Sequence, residues 1–355
     1  MTAPAKILIL GATYGSLLGT KLALAGHDVR LVCRPEEVAC FNRDGATVMM
    51  PIRGKEGLTR LSTLGAPGRL DACTPDDAVP GDYDLIALAM QEPQYGSPGV
   101  RGLMQRVAAS GKPVMSIMNM PPLPYLARLP GVDVADLGGC FTDSSVWDGF
   151  DPGLVTLASP DPQAFRPPEQ PLNHLQVSLP TNFKVAGFAD PAHTALLRRL
   201  EADIEAIRFG DDALALPVKL RIHDSLFVPL AKWAMLLTGN YRCVTPGGPR
   251  AIAEAVHDDP ALSARVYSAV CEVCEALGAD PADMVPFEKY AAAARGLAKP
   301  SSAARALFAG APNIERVDLV VSVLAAQTGI EVPNLDDTSA LVDARLVQNR
   351  LAAAA

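Results

Sequence analysis

Residues 7 to 34, ILILGATYGSLLGTKLALAGHDVRLVCR, constrain the fold more than any other segment. A continuous apolar run, typical of a strand buried on both faces, is followed by Gly11, a helix-like stretch ending near Gly26, and a second apolar strand. Glycine at such a turn lets the backbone approach a pyrophosphate, and the helix that follows presents unpaired N–H groups to it. The segment therefore predicts a βαβ unit with a phosphate-binding turn.

The glycine pattern departs from the dinucleotide fingerprint G-x-G-x-x-G, because Gly11 is followed by Ala12, Thr13, Tyr14 and only then Gly15. We expect Gly11 to make the turn and Gly15 to open the helix. With the middle glycine missing, the phosphates would meet the backbone of Thr13 or Tyr14. A plain strand–turn–helix that binds nothing is the alternative.

The end of the second strand selects the coenzyme, since an acid there binds the ribose hydroxyl of NAD and an arginine binds the extra phosphate of NADP. This strand ends in Arg34, and the acids Glu36 and Glu37 come only after Pro35. A guanidinium holds a phosphate through two parallel hydrogen bonds. We expect NADPH as the coenzyme; a solvated surface arginine is the alternative.

Strand-like and helix-like segments alternate from residue 6 to residue 145, as in a doubly wound α/β sheet. Residues 151–171 hold six prolines, which predicts a long loop between short strands such as LVTLA and HLQVSL. A helix follows, and no clear strand is predicted after about residue 213. We expect an N-terminal Rossmann-type domain, residues 1–212, and an all-helical C-terminal domain, residues 213–355.

Composition limits the classes of partner. The net charge of -8 argues against general binding to nucleic acid or anionic membranes. The chain shows neither a signal peptide nor an apolar run of the roughly 20 residues that a membrane helix needs, so we expect a soluble cytoplasmic protein. Seven cysteines without framework spacing fit a reducing compartment, and Cys271 and Cys274 are predicted to pack in a helix. The histidines form no ligand set, so no metal is predicted.

Lys232 is the single charge in LFVPLAKWAMLLTGNY, residues 226–241. Its ammonium group either reaches solvent along its stem or lies in a cleft, where a shifted pKa suits a proton donor. Asn240 lies about two helical turns further and shares the face of Lys232 if the helix continues through Gly239. Asn119 ends a predicted sheet strand, at the edge where open α/β sheets bind ligands.

Ser301, Ser302 and Glu315 lie in KPSSAARALFAGAPNIE. By themselves the serines suit a helix cap, and Glu315 suits the start of a helix.

Taken in order, the glycine loop, Arg34, Asn119, the segment AKWAMLLTGN, the double serine and AGAPNIE resemble the ketopantoate reductase family. The resemblance extends from Lys6 to about Gly329. It implies a Rossmann domain and a helical domain with the active site in the cleft between them. It also implies reduction of a 2-oxo acid with NADPH, on the way to pantothenate.

The resemblance also implies roles for individual residues. Lys232 matches the catalytic proton donor, with Lys219 as the competing choice, and Glu315 matches the acid that holds the lysine and the substrate. The implied substrate-binding residues are Asn119, Asn240 and Ser302. The implied coenzyme-binding residues are Gly11, Thr13, Tyr14, Gly15, Arg34, Gln91 and Asn119.

Several family positions are changed. The glycine loop is one residue short, Gln91 replaces a lysine, Leu236 replaces an asparagine, Met120 replaces a glycine, and Ile314 occupies the place expected for the acid Glu315. Leu236 favours a more apolar pocket and a substrate other than ketopantoate. The alternatives are a reductase of another ketone or an imine, and a catalytically silent dinucleotide-binding sensor. A small-molecule substrate is the expected partner, and a homodimer is left open.

Overall fold

The computed structural model describes residues 3–354 of the chain, which form two compact units. The first unit comprises the described residues up to Met90 together with 94–118 and 145–224. The second comprises 91–93, 119–144 and the described residues from Ser225 onward. Relative to the predicted stretches 1–212 and 213–355, residues 91–93 and 119–144 group with the second unit and residues 213–224 with the first.

The strands are, in chain order, β1 Lys6–Leu10, β2 Asp28–Val32, β3 Thr47–Pro51, β4 Leu58–Ser62, β5 Arg69–Cys73, β6 Leu85–Leu88, β7 Val114–Ile117, β8 Val155–Ser159, β9 Gln163–Phe165, β10 His174–Leu179, β11 Phe183–Ala186, β12 Arg208–Phe209, β13 Leu214–Ala215, β14 Leu220–His223, β15 Val244–Thr245 and β16 Gly248–Pro249. The α-helices are α1 Ala12–Leu24, α2 Pro35–Asp44, α3 Val100–Ala109, α4 Leu123–Leu126, α5 Pro191–Ala206, α6 Lys232–Met235, α7 Ile252–His257, α8 Pro260–Ala276, α9 Phe287–Ala294, α10 Ser302–Phe308, α11 Val317–Thr328 and α12 Leu335–Ala354.

The main sheet of the first unit has the order β14-β11-β8-β7-β6-β1-β2-β5. Neighbouring strands from β8 to β5 run parallel, β11 runs antiparallel to β8, and β14 runs parallel to β11. The six parallel strands follow the order of a doubly wound dinucleotide fold, which changes direction between β1 and β6. The predicted fold class, a Rossmann-type sheet followed by a helical region, is confirmed.

The expectation of no strand after residue 213 is wrong. Strand β14 pairs in parallel with β11, with Phe183 opposite Leu220 and Ala186 opposite His223. Its sequence LRIH is only four residues long and carries two basic residues, so it lacks the apolar run by which buried strands are recognised.

The proline-rich segment contributes to a second sheet of the first unit, with the order β4-β3-β10-β9. The predicted strand HLQVSL is confirmed as β10, and LVTLA lies largely within β8. Strand β9, which pairs antiparallel with β10, was not expected inside the predicted loop. Its residues 163–165 fall between prolines 162 and 167, so the prolines lie outside the ladder, as their missing N–H requires.

Helix α1 begins at Ala12, directly after Gly11, so the expectation that Gly15 opens it is wrong by three residues. Capping residues define further helix ends. Asp259 accepts a hydrogen bond from the Leu262 backbone N–H and caps α8, and Gly329 ends α11 in the left-handed conformation. Asp280 instead caps a single 3-10 turn.

The second unit is helical, and no helix within residues 3–354 is long and apolar enough to cross a bilayer. Cys271 and Cys274 lie on α8, where burial raises the pKa of both thiols. Both are free cysteines, which agrees with a packing role.

A buried ion pair fixes the start of α11. Asp318 is fully buried and accepts hydrogen bonds from Arg316 Nε at 2.9 Å and from Arg316 Nη2 at 2.8 Å. Arg316 also contacts Asp343 through Nη1. Since Glu315 directly precedes Arg316, this ion pair also restrains the backbone position of Glu315.

We predict that Asp318→Asn destabilises the protein by about 3 kcal/mol, because it leaves a buried guanidinium with only the half-exposed Asp343 as its charged partner. The measurement is urea unfolding followed by tryptophan fluorescence. Asp336→Asn is the matched control, since Asp336 also lies in the first turn of a helix but is exposed. Equal stability of the two variants would contradict a structural role for the pair.

Candidate functional site

The turn after β1 is built for close approach of the backbone. Gly11 has a φ of 100°, and a Cβ atom there would lie 2.5 Å from Met90 Cγ and 2.8 Å from the carbonyl oxygen of Ala89. Both the conformation and the lack of space therefore require glycine. The turn lies where β1 and β6 are neighbours, which is the point of a doubly wound sheet where nucleotides bind.

The other glycines of this segment bring α1 close to the sheet. A Cβ atom at Gly15 would lie 2.8 Å from Ile9 Cγ2, and one at Gly19 would lie 3.0 Å from Leu70 Cδ1. Gly15 thus serves the close helix–strand packing that the last glycine of the fingerprint provides. Thr13 and Tyr14 occupy the first turn of α1, whose N-cap Gly11 offers no side-chain hydrogen bond. The backbone N–H groups of this turn and the positive end of the helix dipole suit a pyrophosphate.

Arg34 lies at the end of β2, as predicted, and its side chain is 64% exposed. Its Nε contacts Glu37 at 3.4 Å, and its Nη1 contacts Glu36 at 3.1 Å. Glu37 is buried and also accepts hydrogen bonds from the Arg34 backbone N–H and from Arg166. The residues of the first unit thus fit a dinucleotide: a turn that excludes Cβ, an uncapped helix start and a basic group after β2.

A second candidate site is a pocket that lies wholly within the second unit. It is lined by Gln91, Asn119, Leu236, Asn240, Tyr241, Ser302, Ala303, Ala306, Ile314 and Glu315. Gln91 and Asn119 follow β6 and β7 in the chain, Leu236 to Tyr241 and Ser302 to Ala306 lie on helical segments, and Ile314 and Glu315 lie in the connection between α10 and α11. The pocket therefore combines five polar side chains that sequence analysis singled out with an aliphatic wall.

A change of helix type after Lys232 brings Asn240 closer to the helix face on which Lys232 lies. The chain runs through a 3-10 turn, α6, a π-helix over Leu236–Asn240 and another 3-10 turn. In a regular α-helix Asn240 would be displaced by about 80° around the axis from Lys232. The wider π-turn uses one more residue per turn and reduces this displacement. Helical continuation through Gly239, on which the prediction depended, is observed.

Gly239 is required because a Cβ atom there would lie 2.1 Å from the hydroxyl oxygen of Tyr290. This hydroxyl donates a hydrogen bond to the carbonyl oxygen of Met235 at 3.1 Å. Tyr290 therefore supports the carbonyl at the point where the hydrogen-bonding pattern changes from α to π.

Glu315 is the most perturbed carboxyl group of the pocket. Burial raises its pKa to about 7, against the hydrogen bonds from Asn119 and the Glu92 backbone and against the positive charge of Lys232. The neighbouring buried carboxyl of Glu92 acts in the same direction as burial. A group with such a pKa changes charge near neutral pH, which is the property that proton transfer needs.

Asn119 joins two parts of the pocket. Its Nδ2 donates to Glu315 Oε2 at 3.3 Å, and its backbone oxygen accepts a hydrogen bond from Trp233 Nε1 at 3.3 Å. Its Oδ1 is buried and has no hydrogen-bond partner. A buried acceptor without a partner costs about 1–3 kcal/mol, so a donor group of a ligand would be favoured there.

The adjacent serines Ser301 and Ser302 have different roles. Ser301 caps α10 by accepting from the Ala304 backbone N–H, and it donates to the Asn240 carbonyl oxygen at 2.7 Å. Ser302 lines the pocket. The capping interpretation therefore applies to Ser301, and the candidate binding residue is Ser302.

Lys232 is half-buried at the start of α6, one turn before the pocket residue Leu236, and its charge acts on Glu315. The competing choice, Lys219, lies in the first unit and forms an ion pair with Glu205. Lys232 is thus the lysine associated with the pocket.

Sequence analysis missed Tyr241 and Arg166. Tyr241 lines the pocket, donates to the Glu315 backbone oxygen and accepts from the Val317 backbone N–H. Its position directly after Asn240 was the available signal. Arg166 lies in the proline-rich segment, and no motif pointed to it.

No protein-family model matches this chain, and no match is found among curated proteins. Among solved structures the chain is similar to a ketopantoate reductase from Ralstonia eutropha JMP134, with 16% identity and a TM-score of 0.64, covering 97% of this chain and 99% of that chain. It is similar to 2-dehydropantoate 2-reductase from Methylococcus capsulatus, with 13% identity and a TM-score of 0.64, covering 97% of each chain.

It is also similar to a D-mandelate dehydrogenase solved with NADH and anilino(oxo)acetate, with 15% identity and a TM-score of 0.63, covering 97% of this chain and 99% of that chain. These matches define a structural class: the chain has the fold of proteins described as ketopantoate reductases and as D-mandelate dehydrogenase. Within that class, the resemblance to ketopantoate reductases is confirmed at the level of the fold.

We predict that Glu315 makes stability depend on pH. Its pKa is raised from 4.5 to about 7, so the folded protein keeps a proton that the unfolded chain loses in this range. Stability must then fall as pH rises from 4.5 to 7, by up to about 3 kcal/mol.

The measurement is urea unfolding at pH 5 and at pH 8 for the wild type and Glu315→Gln. The difference between the two pH values should be smaller in Glu315→Gln, and Glu331→Gln, at an exposed position, is the control. The same pH dependence in all three proteins would show that Glu315 does not carry the effect.

Proposed function

We propose that this protein is a divergent member of the ketopantoate reductase family that reduces a 2-oxo acid with NADPH. The observation that carries the proposal is the pocket of the second unit, in which Gln91, Asn119, Asn240, Ser302 and Glu315 meet. These residues come from four separate parts of the sequence. Their meeting in one pocket around the buried Glu315 is hard to explain by packing alone, because a carboxyl group is costly to bury without a use.

In the proposed reaction bound NADPH would supply the hydride that the carbonyl carbon of the substrate accepts. Lys232 donates a proton from Nζ to the carbonyl oxygen, and the product is a 2-hydroxy acid. The ammonium charge also stabilises the alkoxide that develops before the proton arrives. Lys232 then regains a proton from solvent.

Glu315 keeps Lys232 effective as a donor. The two groups interact electrostatically, since the positive charge of Lys232 lowers the pKa of Glu315 against the effect of burial. The carboxyl group also fixes the amide of Asn119 through the 3.3 Å hydrogen bond. Glu315 therefore orients both the proton donor and the amide of the pocket.

The remaining polar groups are proposed to position the reactants. Asn119 Oδ1 is an unpartnered acceptor, which suits the carboxamide N–H of nicotinamide or the hydroxyl of the product, since a 2-oxo acid has no donor of its own at neutral pH. Asn240 and Ser302 offer donors to the substrate carboxylate. In the first unit the backbone of Gly11, Thr13 and Tyr14 would hold the pyrophosphate, with Gly15 packing α1 against the sheet, and Arg34 would hold the ribose phosphate.

The substrate side chain is proposed to be apolar. Leu236, Ile314, Ala303 and Ala306 line the pocket together, so one part of its wall has no hydrogen-bonding group. The hydroxyl of ketopantoate would lose its bonds to water there, which disfavours it as the substrate.

A dinucleotide-binding sensor without turnover is the second candidate. Gln91, in place of a lysine expected from the resemblance, favours this candidate, since an amide supplies no charge to the pocket. The two candidates differ in turnover, not in coenzyme binding.

We predict that Lys232→Ala lowers kcat by about 100- to 10,000-fold, the range typical of losing a general acid. The measurement is NADPH oxidation with trimethylpyruvate, benzoylformate and ketopantoate as substrates. Lys289→Ala is the matched control, because Lys289 is an exposed lysine of the same unit. Turnover that survives in Lys232→Ala would remove the lysine as donor, and wild-type binding of NADPH without any turnover would favour the sensor.

We predict that Leu236 sets the preference between trimethylpyruvate and ketopantoate, which differ by one hydroxyl group. The wild type should favour trimethylpyruvate modestly, since an apolar pocket rejects an added hydroxyl by no more than about 100-fold. Leu236→Asn should shift the ratio of kcat/KM at least about tenfold towards ketopantoate. Leu236→Met is the control that keeps an apolar wall, and an unchanged ratio in Leu236→Asn would refute the assignment.

A further inference from the structure

Arg166 lies at the end of β9, in the proline-rich segment of the first unit. Its position is fixed by the sheet, because Phe165 pairs with Gln176 of β10. The same segment is tied to the glycine loop, since the Tyr14 hydroxyl donates to the Pro162 carbonyl oxygen at 2.9 Å. The segment thus contacts both elements that bind a dinucleotide: the first turn of α1 and the start of α2.

Arg166 and Arg34 meet on the carboxylate of Glu37. Arg166 Nη1 contacts one oxygen, and the Arg34 backbone N–H and Nε contact the other, at 3.0 Å and 3.4 Å. Burial by itself would raise the pKa of this carboxyl, but the hydrogen bonds from Arg166 and Arg34 hold it below its ordinary value. Glu37 is therefore charged, enclosed and already engaged at both oxygens, so it is poorly suited to bind a ribose hydroxyl.

The other edge of the Arg166 guanidinium is unused. Its Nε and Nη2 are both buried and have no hydrogen-bond partner. These two nitrogens form the parallel pair of donors with which arginine holds a phosphate, whereas Nη1 is engaged by Glu37. Two orphaned donors on a charged group are costly, and an anion of matching geometry relieves that cost.

The charges around this edge leave one positive charge that Glu37 does not balance, which favours an anion. Glu37 neutralises one of the two guanidinium groups. Glu36, which contacts Arg34 at 3.1 Å, is more than half exposed, and exposed pairs of this kind contribute little. A phosphate on the ribose at the end of β2 would therefore find two arginines and one neutralised acid.

We propose that Arg166 binds the ribose 2′-phosphate of NADPH together with Arg34, so that the proline-rich segment forms part of the coenzyme site and sets its specificity. The inference rests on the proposed function, because it assumes that the first unit binds a nicotinamide dinucleotide.

The test is isothermal titration of the full chain with adenosine 2′,5′-bisphosphate and with 5′-AMP, which differ only in the 2′-phosphate. The wild type should bind the bisphosphate more tightly. Arg166→Gln should weaken bisphosphate binding by about 10- to 100-fold, the range expected for charge-assisted hydrogen bonds, and leave 5′-AMP binding within about twofold. Arg43→Gln is the matched control, since Arg43 is an exposed arginine of α2.

Arg166→Lys separates loss of phosphate binding from misfolding, because a lysine can still pair with Glu37 but lacks the parallel donors of arginine. It should lose most of the preference for the bisphosphate while its thermal unfolding matches that of the wild type. If Arg166→Lys keeps the full preference for the bisphosphate over 5′-AMP, the parallel donors Nε and Nη2 of Arg166 do not bind the phosphate and the inference is overturned.

The remaining outcomes separate the inference from the proposed function. A wild type that prefers the bisphosphate, with Arg166→Gln unchanged, overturns the role of Arg166 and leaves the NADPH site intact. A wild type that binds both ligands equally overturns recognition of the 2′-phosphate but not dinucleotide binding. A wild type that binds neither overturns the proposed coenzyme site and the inference with it.

Discussion

The packing of Tyr290 against Gly239 is the contact on which the pocket of the second unit depends. The tyrosine hydroxyl donates a hydrogen bond to the Met235 carbonyl oxygen and occupies the space that a Cβ atom at Gly239 would need. The helix after Lys232 can then widen into a π-turn, which brings Leu236 and Asn240 into the pocket near Glu315. A π-turn forgoes regular α-helical hydrogen bonds, and such turns occur frequently at functional sites.

A similar limit on space governs the first unit. Gly11 accommodates the close approach of β1 to the end of β6, and Gly15 and Gly19 let α1 lie against the strands. Helix α1 starts directly after Gly11, so Thr13, at the position of the missing middle glycine, lies in the first helical turn. Close packing of the backbone therefore determines the shape of the loop, and no side chain caps the start of α1.

Much of the architecture followed from local sequence signals. The apolar run of β1, the glycine turn after it and the alternation of strand-like and helix-like segments could be recognised because these patterns reflect burial and backbone geometry within one element. Asn119 could be predicted as a site residue since it follows a strand of the parallel sheet. Strand β14 could not, because its four residues are recognisable only through their pairing with β11.

The chemistry of the two sites depended on long-range contacts that the sequence does not display. The buried state of Glu315 arises from its neighbours Asn119 and Glu92, both about two hundred residues away in the chain. Arg166 reaches Glu37 only because β9 and β10 join β3 and β4 in one sheet. In the sequence the prolines around Arg166 predicted a loop, so nothing indicated that Arg166 lies next to Glu37.

The most direct measurement of the central claim follows the hydride itself. The protein is incubated with NADPH carrying deuterium at the transferable position of the nicotinamide and with trimethylpyruvate, and the product is analysed by mass spectrometry. The account predicts a 2-hydroxy acid with one deuterium on the carbon that was the carbonyl. Tight binding of the coenzyme without any labelled product from a panel of 2-oxo acids would contradict it.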